Sequence, residues 1–238
     1  MQRRAMDSGI RACSTGRWVV AAAALVVAGA CNDNNLNTVS VIPAVITVSS
    51  TSNGQTGVVG QPLPQPVSVQ VTDQSRNPVA NVIVTWTVLT GGGAVAQATS
   101  TTDATGTASV IWTVGTAVGE NTLRASIATG ASVTITATGE PAVASAVTIV
   151  SGNPQTIAAG VTSAPLVVMV TDPFGNRVGG APVVWTISGT GTISATSTKT
   201  GASGQSSVTA TPTAAAQTMT VTATSDGLTP AVFTIVVP

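Results

Sequence analysis

Few residues in this sequence could carry out chemistry, and the missing types are the most informative. The 238 residues include no histidine and no tyrosine, and only 7% of them are charged. Without histidine, Ser-His-Asp and Cys-His catalytic arrangements and Cys/His metal sites are excluded. No glycine-rich phosphate-binding motif follows a predicted strand. We therefore expect a protein that is not an enzyme and that has no cofactor.

Three aspartates are the best candidates for a metal site. Asp73, Asp103 and Asp172 all stand in predicted turns, and calcium prefers carboxylate and carbonyl oxygens. The alternative is that each carboxylate caps its own turn, since aspartate side chains readily bond to the backbone that follows them. We favour turn capping, and the predicted metal content is none.

The first 30 residues are typical of a secretory signal peptide. Four arginines precede an uncharged apolar run from Trp18 to Ala30 that ends in small residues. As a helix this run would extend about 20 Å, whereas the apolar core of a bilayer is roughly 30 Å thick. A cleaved export signal is therefore favoured over a permanent membrane-spanning helix.

Cys31 is the one residue to which a specific reaction can be assigned. The stretch Val27-Ala-Gly-Ala-Cys31 resembles a bacterial lipobox, in which small residues precede a cysteine that is acylated and becomes the new N-terminus, although Ala28 stands where leucine is usual. The alternative is ordinary cleavage nearby, which would leave Cys31 as a free thiol. We expect a lipid-anchored Cys31 followed by a polar tether, residues 31–38 together. Asn32 after the cysteine favours the outer membrane, by analogy with that family.

The charge of the remaining chain argues against nucleic-acid binding. From Asn32 onward there are four basic and seven acidic residues, a net charge of −3. Phosphate backbones are bound by clustered lysine and arginine, and no such cluster is present. The membrane, through the lipid anchor, is the first expected partner.

The rest of the composition is typical of an all-β protein. Valine, isoleucine and threonine are abundant, and these β-branched residues suit a pleated, half-buried surface. Short alternating segments are separated by turn residues at a spacing typical of β-sandwiches.

A long internal repeat divides this β-rich region into two domains. The segment 67–86 recurs without a gap as 166–185, so that Asp73, Asn77 and Trp86 correspond to residues 99 positions later. Such a period is far longer than a solenoid unit, so each copy should be a whole domain. The predicted domains are residues 39–140 and 141–238.

The tryptophans of these domains are predicted to be core residues rather than platforms for a ligand. Trp86, Trp112 and Trp185 each lie on an apolar face with a period of two. Ala210 occupies the place of Trp112 in the second copy, so we expect the second core to be less aromatic. Phe174, in a turn, is predicted to be the one apolar residue near solvent, where it could contact the neighbouring domain or a partner.

These motifs resemble the group 1 bacterial immunoglobulin-like (Ig-like) domain, found in the shafts of invasin and intimin. The resemblance rests on Val-Thr-Asp at 71–73 and 170–172, the tryptophan strand that follows, and the alternating segment 102–113. It implies two tandem Ig-like β-sandwiches behind the signal peptide.

The resemblance also implies a function that depends on surfaces rather than on a pocket. The expected protein is a cell-envelope lipoprotein that acts as a structural spacer or an adhesive module, with envelope or host proteins or glycans as partners. The alternative is a glycan- or small-ligand-binding module, which should display exposed aromatic side chains on a sheet face.

Overall fold

The computed structural model describes residues 41–238, and all regular elements in this range are β-strands. The predicted signal peptide and Cys31 lie outside the described residues. Residues 41–238 contain no helix that is long and apolar enough to cross a membrane.

Ten strands form the first domain. They are β1 (Val45–Val48), β2 (Gln55–Val58), β3 (Val67–Thr72), β4 (Ile83–Thr90), β5 (Ala94–Val95), β6 (Thr99–Thr101), β7 (Thr107–Val110), β8 (Trp112–Thr113), β9 (Gly119–Ile127) and β10 (Ser132–Glu140). A sheet of order β1-β3-β7 faces a sheet of order β2-β10-β9-β4-β6, and β5 pairs with β8. All pairs are antiparallel except β2 with β10.

The second domain repeats this topology strand by strand. Its strands are β11 (Ala146–Ser151), β12 (Gln155–Thr156), β13 (Leu166–Thr171), β14 (Pro182–Ser188), β15 (Gly191–Ile193), β16 (Ser197–Lys199), β17 (Gln205–Val208), β18 (Ala210–Pro212), β19 (Gln217–Thr224) and β20 (Ala231–Val237). The sheet orders are β11-β13-β17, β12-β20-β19-β14-β16 and β15-β18. Each strand thus has the same partners as the strand ten places before it.

Alternation along the strands builds each core, as the period-two pattern predicts. In β3, the side chains of Val67, Val69 and Val71 are buried, while Ser68 and Gln70 between them are not. The inward side chains of the two facing sheets form one apolar cluster in each domain. The predicted all-β fold with two sandwich domains is confirmed.

One predicted strand is divided between two sheets. Ala108, Val110, Trp112 and Val114 are all buried, as their alternation predicts, but Ile111 between them is 52% exposed. The chain pairs with β3 before Ile111 and with β5 after it. The period of two continues through this change of partner, so the sequence does not reveal it.

The second core holds one tryptophan fewer than the first, as expected, but the same number of aromatic side chains. Ala210 does replace Trp112, but Phe233 stands where the first domain has Ile135, 98 residues earlier. Phe233 is fully buried, and its ring lies 6.1 Å from that of Trp185, centroid to centroid. Each core therefore holds two aromatic side chains, two tryptophans in the first and a tryptophan with a phenylalanine in the second.

Candidate functional site

The aspartates of the first domain bind their own turns. Oδ1 of Asp73 accepts a hydrogen bond from the backbone nitrogen of Asn77 at 2.8 Å, and Oδ2 accepts one from Nδ2 of Asn77 at 3.1 Å. Oδ1 of Asp103 accepts bonds from the backbone nitrogens of Thr105 and Thr107 at 2.8 and 3.0 Å. Hydrogen bonds from the side chain of Asn77 and from that of Thr105 are the largest causes that lower the pKa of Asp73 and of Asp103, respectively.

Asp172 makes the same turn but is buried and has more partners. Burial is the largest single influence and raises its pKa, yet the hydrogen bonds together hold that pKa below its usual value. Oδ1 accepts bonds from the backbone nitrogens of Phe174 and Asn176 at 2.9 and 2.8 Å. Oδ2 accepts bonds from Nδ2 of Asn176 at 2.9 Å and from the backbone nitrogen of Ala142 at 3.0 Å.

These contacts are those of turn caps, and they leave little for a metal to bind. Within residues 41–238, no group of three or more histidine, cysteine, aspartate or glutamate side chains could hold a metal ion. The calcium hypothesis for Asp73, Asp103 and Asp172 thus has no cluster of ligands to support it.

The three tryptophans of the described range are buried side chains of the two cores. Trp86, Trp112 and Trp185 are 3%, 0% and 1% exposed. Nε1 of Trp86 donates to Oγ of Ser100 at 2.9 Å, and Nε1 of Trp185 donates to Oγ1 of Thr198 at 2.7 Å. Nε1 of Trp112 has no hydrogen-bond partner.

Asn176 connects the second domain to the first through its side-chain amide. Its Nδ2 donates to the backbone oxygen of Thr116 at 2.8 Å, and its Oδ1 accepts from the backbone nitrogen of Val118 at 3.2 Å. The bond from Ala142 to Asp172 ties the connection between β10 and β11 to the same turn. We call Gly60, residues 115–119, Ala142 and residues 172–176 the joint.

Phe174 adds an apolar contact to the joint. Gly60 has a φ of +73°, and a Cβ placed on it would lie 2.9 Å from Cζ of Phe174. The ring thus fills the space that a side chain at residue 60 would need. Phe174 remains 48% exposed, as predicted, but it is not the one apolar residue near solvent, since Val143 and Ile83 are 86% and 62% exposed.

Asn121, which the sequence reasoning missed, shapes the part of the first domain that receives Asn176. It is fully buried; its Oδ1 accepts from the backbone nitrogen of Gly115 at 2.9 Å, and its Nδ2 donates to the backbone oxygen of Gly119 at 3.2 Å. It therefore bridges the two ends of the loop that carries Thr116 and Val118. An asparagine at an inward position of β9, in line with Leu123, was the available signal.

The second domain lacks these receiving groups at its own equivalent end. Met219 stands where Asn121 would be, 98 residues later. The backbone oxygen of Ala214 accepts from Nε2 of Gln217 at 2.9 Å, and the nitrogen of Ala216 donates to the oxygen of Pro238 at 3.3 Å. The two domains share a fold but differ at their ends.

An open groove of about 520 Å³ lies on the smaller sheet of the first domain. Its lining includes Gln70, Thr72, Asp73 and Arg76. No aromatic side chain lines it, and the exposed aromatic residue of the described range is Phe174, in the joint. The aromatic sheet face expected of a glycan-binding module is therefore absent from residues 41–238.

The second copy of the internal repeat matches a known family of domains. Residues 145–236 match the bacterial Ig-like domain (group 1), so the second domain is a group 1 bacterial Ig-like domain. The match falls on the copy in which Ala210 and Gly201 depart from the motif of the first. No curated protein matches the chain by sequence.

Three solved structures are similar to this chain. FdeC, an Escherichia coli adhesin, is 19% identical with a TM-score of 0.58, over 81% of this chain and 63% of the FdeC chain. Invasin, a bacterial integrin-binding protein, is 21% identical with a TM-score of 0.41, over 82% and 40%. The D0-D1 domain of intimin is 15% identical with a TM-score of 0.33, over 82% and 98%. At these identities the likeness to FdeC shows a common fold and no more.

Proposed function

We propose that this chain is a non-enzymatic lipoprotein of the bacterial cell envelope, whose Ig-like domains act through their surfaces in adhesion or as a structural spacer. The match of residues 145–236 to a bacterial Ig-like domain carries the proposal. The fold shared with the adhesin FdeC is compatible with an adhesive role. The aspartates that could have formed a metal site are instead engaged in their own turns.

Attachment to the membrane is assigned to Cys31. The small residues before it and the polar residues after it fit acylation at this position, and a lipid would give the mature chain its membrane anchor. The lipid would be placed in the outer membrane, with the Ig-like domains beyond the tether. Of the expected partners, we propose envelope or host surface proteins rather than glycans, since residues 41–238 show no aromatic sheet face on which a glycan could stack.

A binding screen of the fragment from Asn32 onward tests the function. The fragment would be immobilised and exposed to host matrix proteins, purified envelope proteins and a glycan array, with the heat-unfolded fragment as control. Saturable binding to a protein supports adhesion, and no binding to the whole panel supports the spacer. Saturable binding to a free glycan would overturn both and favour the alternative module, with the groove beside Asp73 as its first candidate site.

A further inference from the structure

We propose that the joint is a directional lock that holds the two sandwiches in one fixed orientation, and that Asn121 is its positioning residue. The lock is independent of the proposed function, since an adhesin and a spacer could each be rigid or flexible. The turn at residues 172–176 contacts three separate stretches of chain: Gly60, the loop 115–119 and the connection at Ala142.

The turn at residues 172–176 has its shape before it contacts the first domain. In the first domain, residues 73–77 make the same internal bonds between Asp73 and Asn77 that Asp172 and Asn176 make in the second. The shape of the turn therefore does not depend on contact with a neighbouring domain. A preformed turn loses little conformational freedom when it docks, which favours a closed joint.

The second copy of the turn carries the side chain needed for docking. Phe174 stands in the place of Ser75, and its ring lies against Gly60. Asn176 keeps its bonds within the turn and adds two bonds to the first domain, one as donor and one as acceptor. Because donor and acceptor must both match, the amide fixes the direction in which the second domain faces.

The receiving loop is also held in advance, and only in the first domain. Asn121 links Gly115 to Gly119 from inside the domain, so that the Thr116 oxygen and the Val118 nitrogen face Asn176. The equivalent end of the second domain has Met219 at this position, and its loop bonds to Gln217 and Pro238 instead. The lock therefore works in one order of domains, with the first receiving the second.

Amide exchange and residual dipolar couplings of the whole ¹⁵N-labelled chain test the lock. The Val118 amide is bonded to a side chain of the second domain, so its exchange reports how often the two domains separate. The Ala142 amide reports how often the connection leaves the turn. We expect both to exchange at least tenfold more slowly than free peptide amides, and both domains to share one alignment tensor. Exchange at the free rate, or two different tensors in the unaltered chain, would overturn the proposal.

Matched variants separate the lock from general stability. Asn176→Ala should lose the protection of Val118 and give two alignment tensors, whereas Asn77→Ala, which breaks the same turn in the first domain, should do neither. Phe174→Ser should also separate the tensors, while Leu89→Ser, at a site that is 47% exposed, should not. A shared tensor in both joint variants would contradict the lock.

Asn121 requires a separate readout. In Asn121→Ala, the Val118 amide should lose its protection while the amide of Leu123, in the central strand β9, keeps it. Loss of both together would show that Asn121 stabilises the first domain as a whole, and it would remove the positioning role.

Discussion

The carboxylate of Asp172 lies 3.0 Å from the backbone nitrogen of Ala142, so a turn of the second domain binds the segment that connects it to the first. The same carboxylate caps its own turn through Phe174 and Asn176. The carboxylate of Asp172 thus stabilises both its own turn and the connection between the domains. Asp73 makes no bond equivalent to the one from Ala142.

Protonation of Asp172 should weaken both its own turn and its bond to the connection at Ala142. Hydrogen bonds keep its pKa in the folded protein below that in the unfolded chain, which is about 3.9. The stability they contribute is present above the unfolded pKa and is lost as the pH falls through the folded pKa. Urea unfolding from pH 7 to pH 2 should show this loss below about pH 4.

Asp172→Asn should remove part of that pH dependence and cost about 1–3 kcal/mol at pH 7, since charged hydrogen bonds are lost from a buried site. Asp73→Asn, in the exposed counterpart, should cost less at pH 7. An unchanged pH profile in Asp172→Asn would contradict this role of the carboxylate.

Two glycines offer a matched test of the contact with Phe174. Gly60 and Gly160 have φ values of +73° and +83°, so alanine at either should cost about 1 kcal/mol for the left-handed backbone. At Gly160 no atom lies within 4 Å of the added Cβ, whereas at Gly60 the ring of Phe174 is in the way. Gly60→Ala should therefore lower the free energy of unfolding more than Gly160→Ala.

The double variant Gly60→Ala/Phe174→Ser identifies the cause. The additional cost of Gly60→Ala should largely disappear when the ring is absent. Equal costs for the two glycines in the otherwise unaltered chain would show that the ring of Phe174 moves aside without lowering the free energy of unfolding.

The two tryptophans of the first core should respond differently to phenylalanine. Trp86→Phe removes the donor that satisfies Ser100, whereas Nε1 of Trp112 has no partner to lose. Both variants lose apolar contact, so Trp86→Phe should be more destabilising by about 1 kcal/mol in urea unfolding. A larger loss for Trp112→Phe would indicate that its Nε1 is bonded after all, for instance to a buried water.

Calcium should leave the protein unchanged. The carboxylates of Asp73, Asp103 and Asp172 accept hydrogen bonds from their own turns, and ion binding to the folded state would have to raise its stability. We expect the same melting temperature and proteolysis rate with millimolar calcium as with a chelator. A rise that depends on calcium and is lost in Asp103→Asn would establish a site.

The sequence predicts the fold well because each domain is built from alternating apolar residues. Successive side chains of a strand point to opposite faces of the sheet, so apolar residues at every second position share one face. Val67, Val69 and Val71 therefore all face the core. The change of sheet at Ile111 is invisible because the alternation continues across it.

The joint could be predicted only in part. Phe174 is recognisable as an apolar residue in a turn, and its contact with the neighbouring domain was one of two options. Its contact with Gly60 depends on how two folded domains meet, which no local pattern encodes. The only local sign of Asn121 is an asparagine at an inward position of β9. In the sequence, the joint is otherwise visible only as differences between the two copies. Ser75 corresponds to Phe174, and Asn121 corresponds to Met219.

Incorporation of labelled palmitate into cells that express the whole chain tests the envelope assignment most directly. We expect that the protein is labelled, that the label fractionates with the outer membrane, and that Cys31→Ala abolishes the labelling. Cys13→Ala is the matched control and should be labelled normally, because residue 13 lies in the predicted signal peptide. No labelling, or equal labelling of the unaltered protein and Cys31→Ala, would contradict the proposal that this is a lipid-anchored envelope protein.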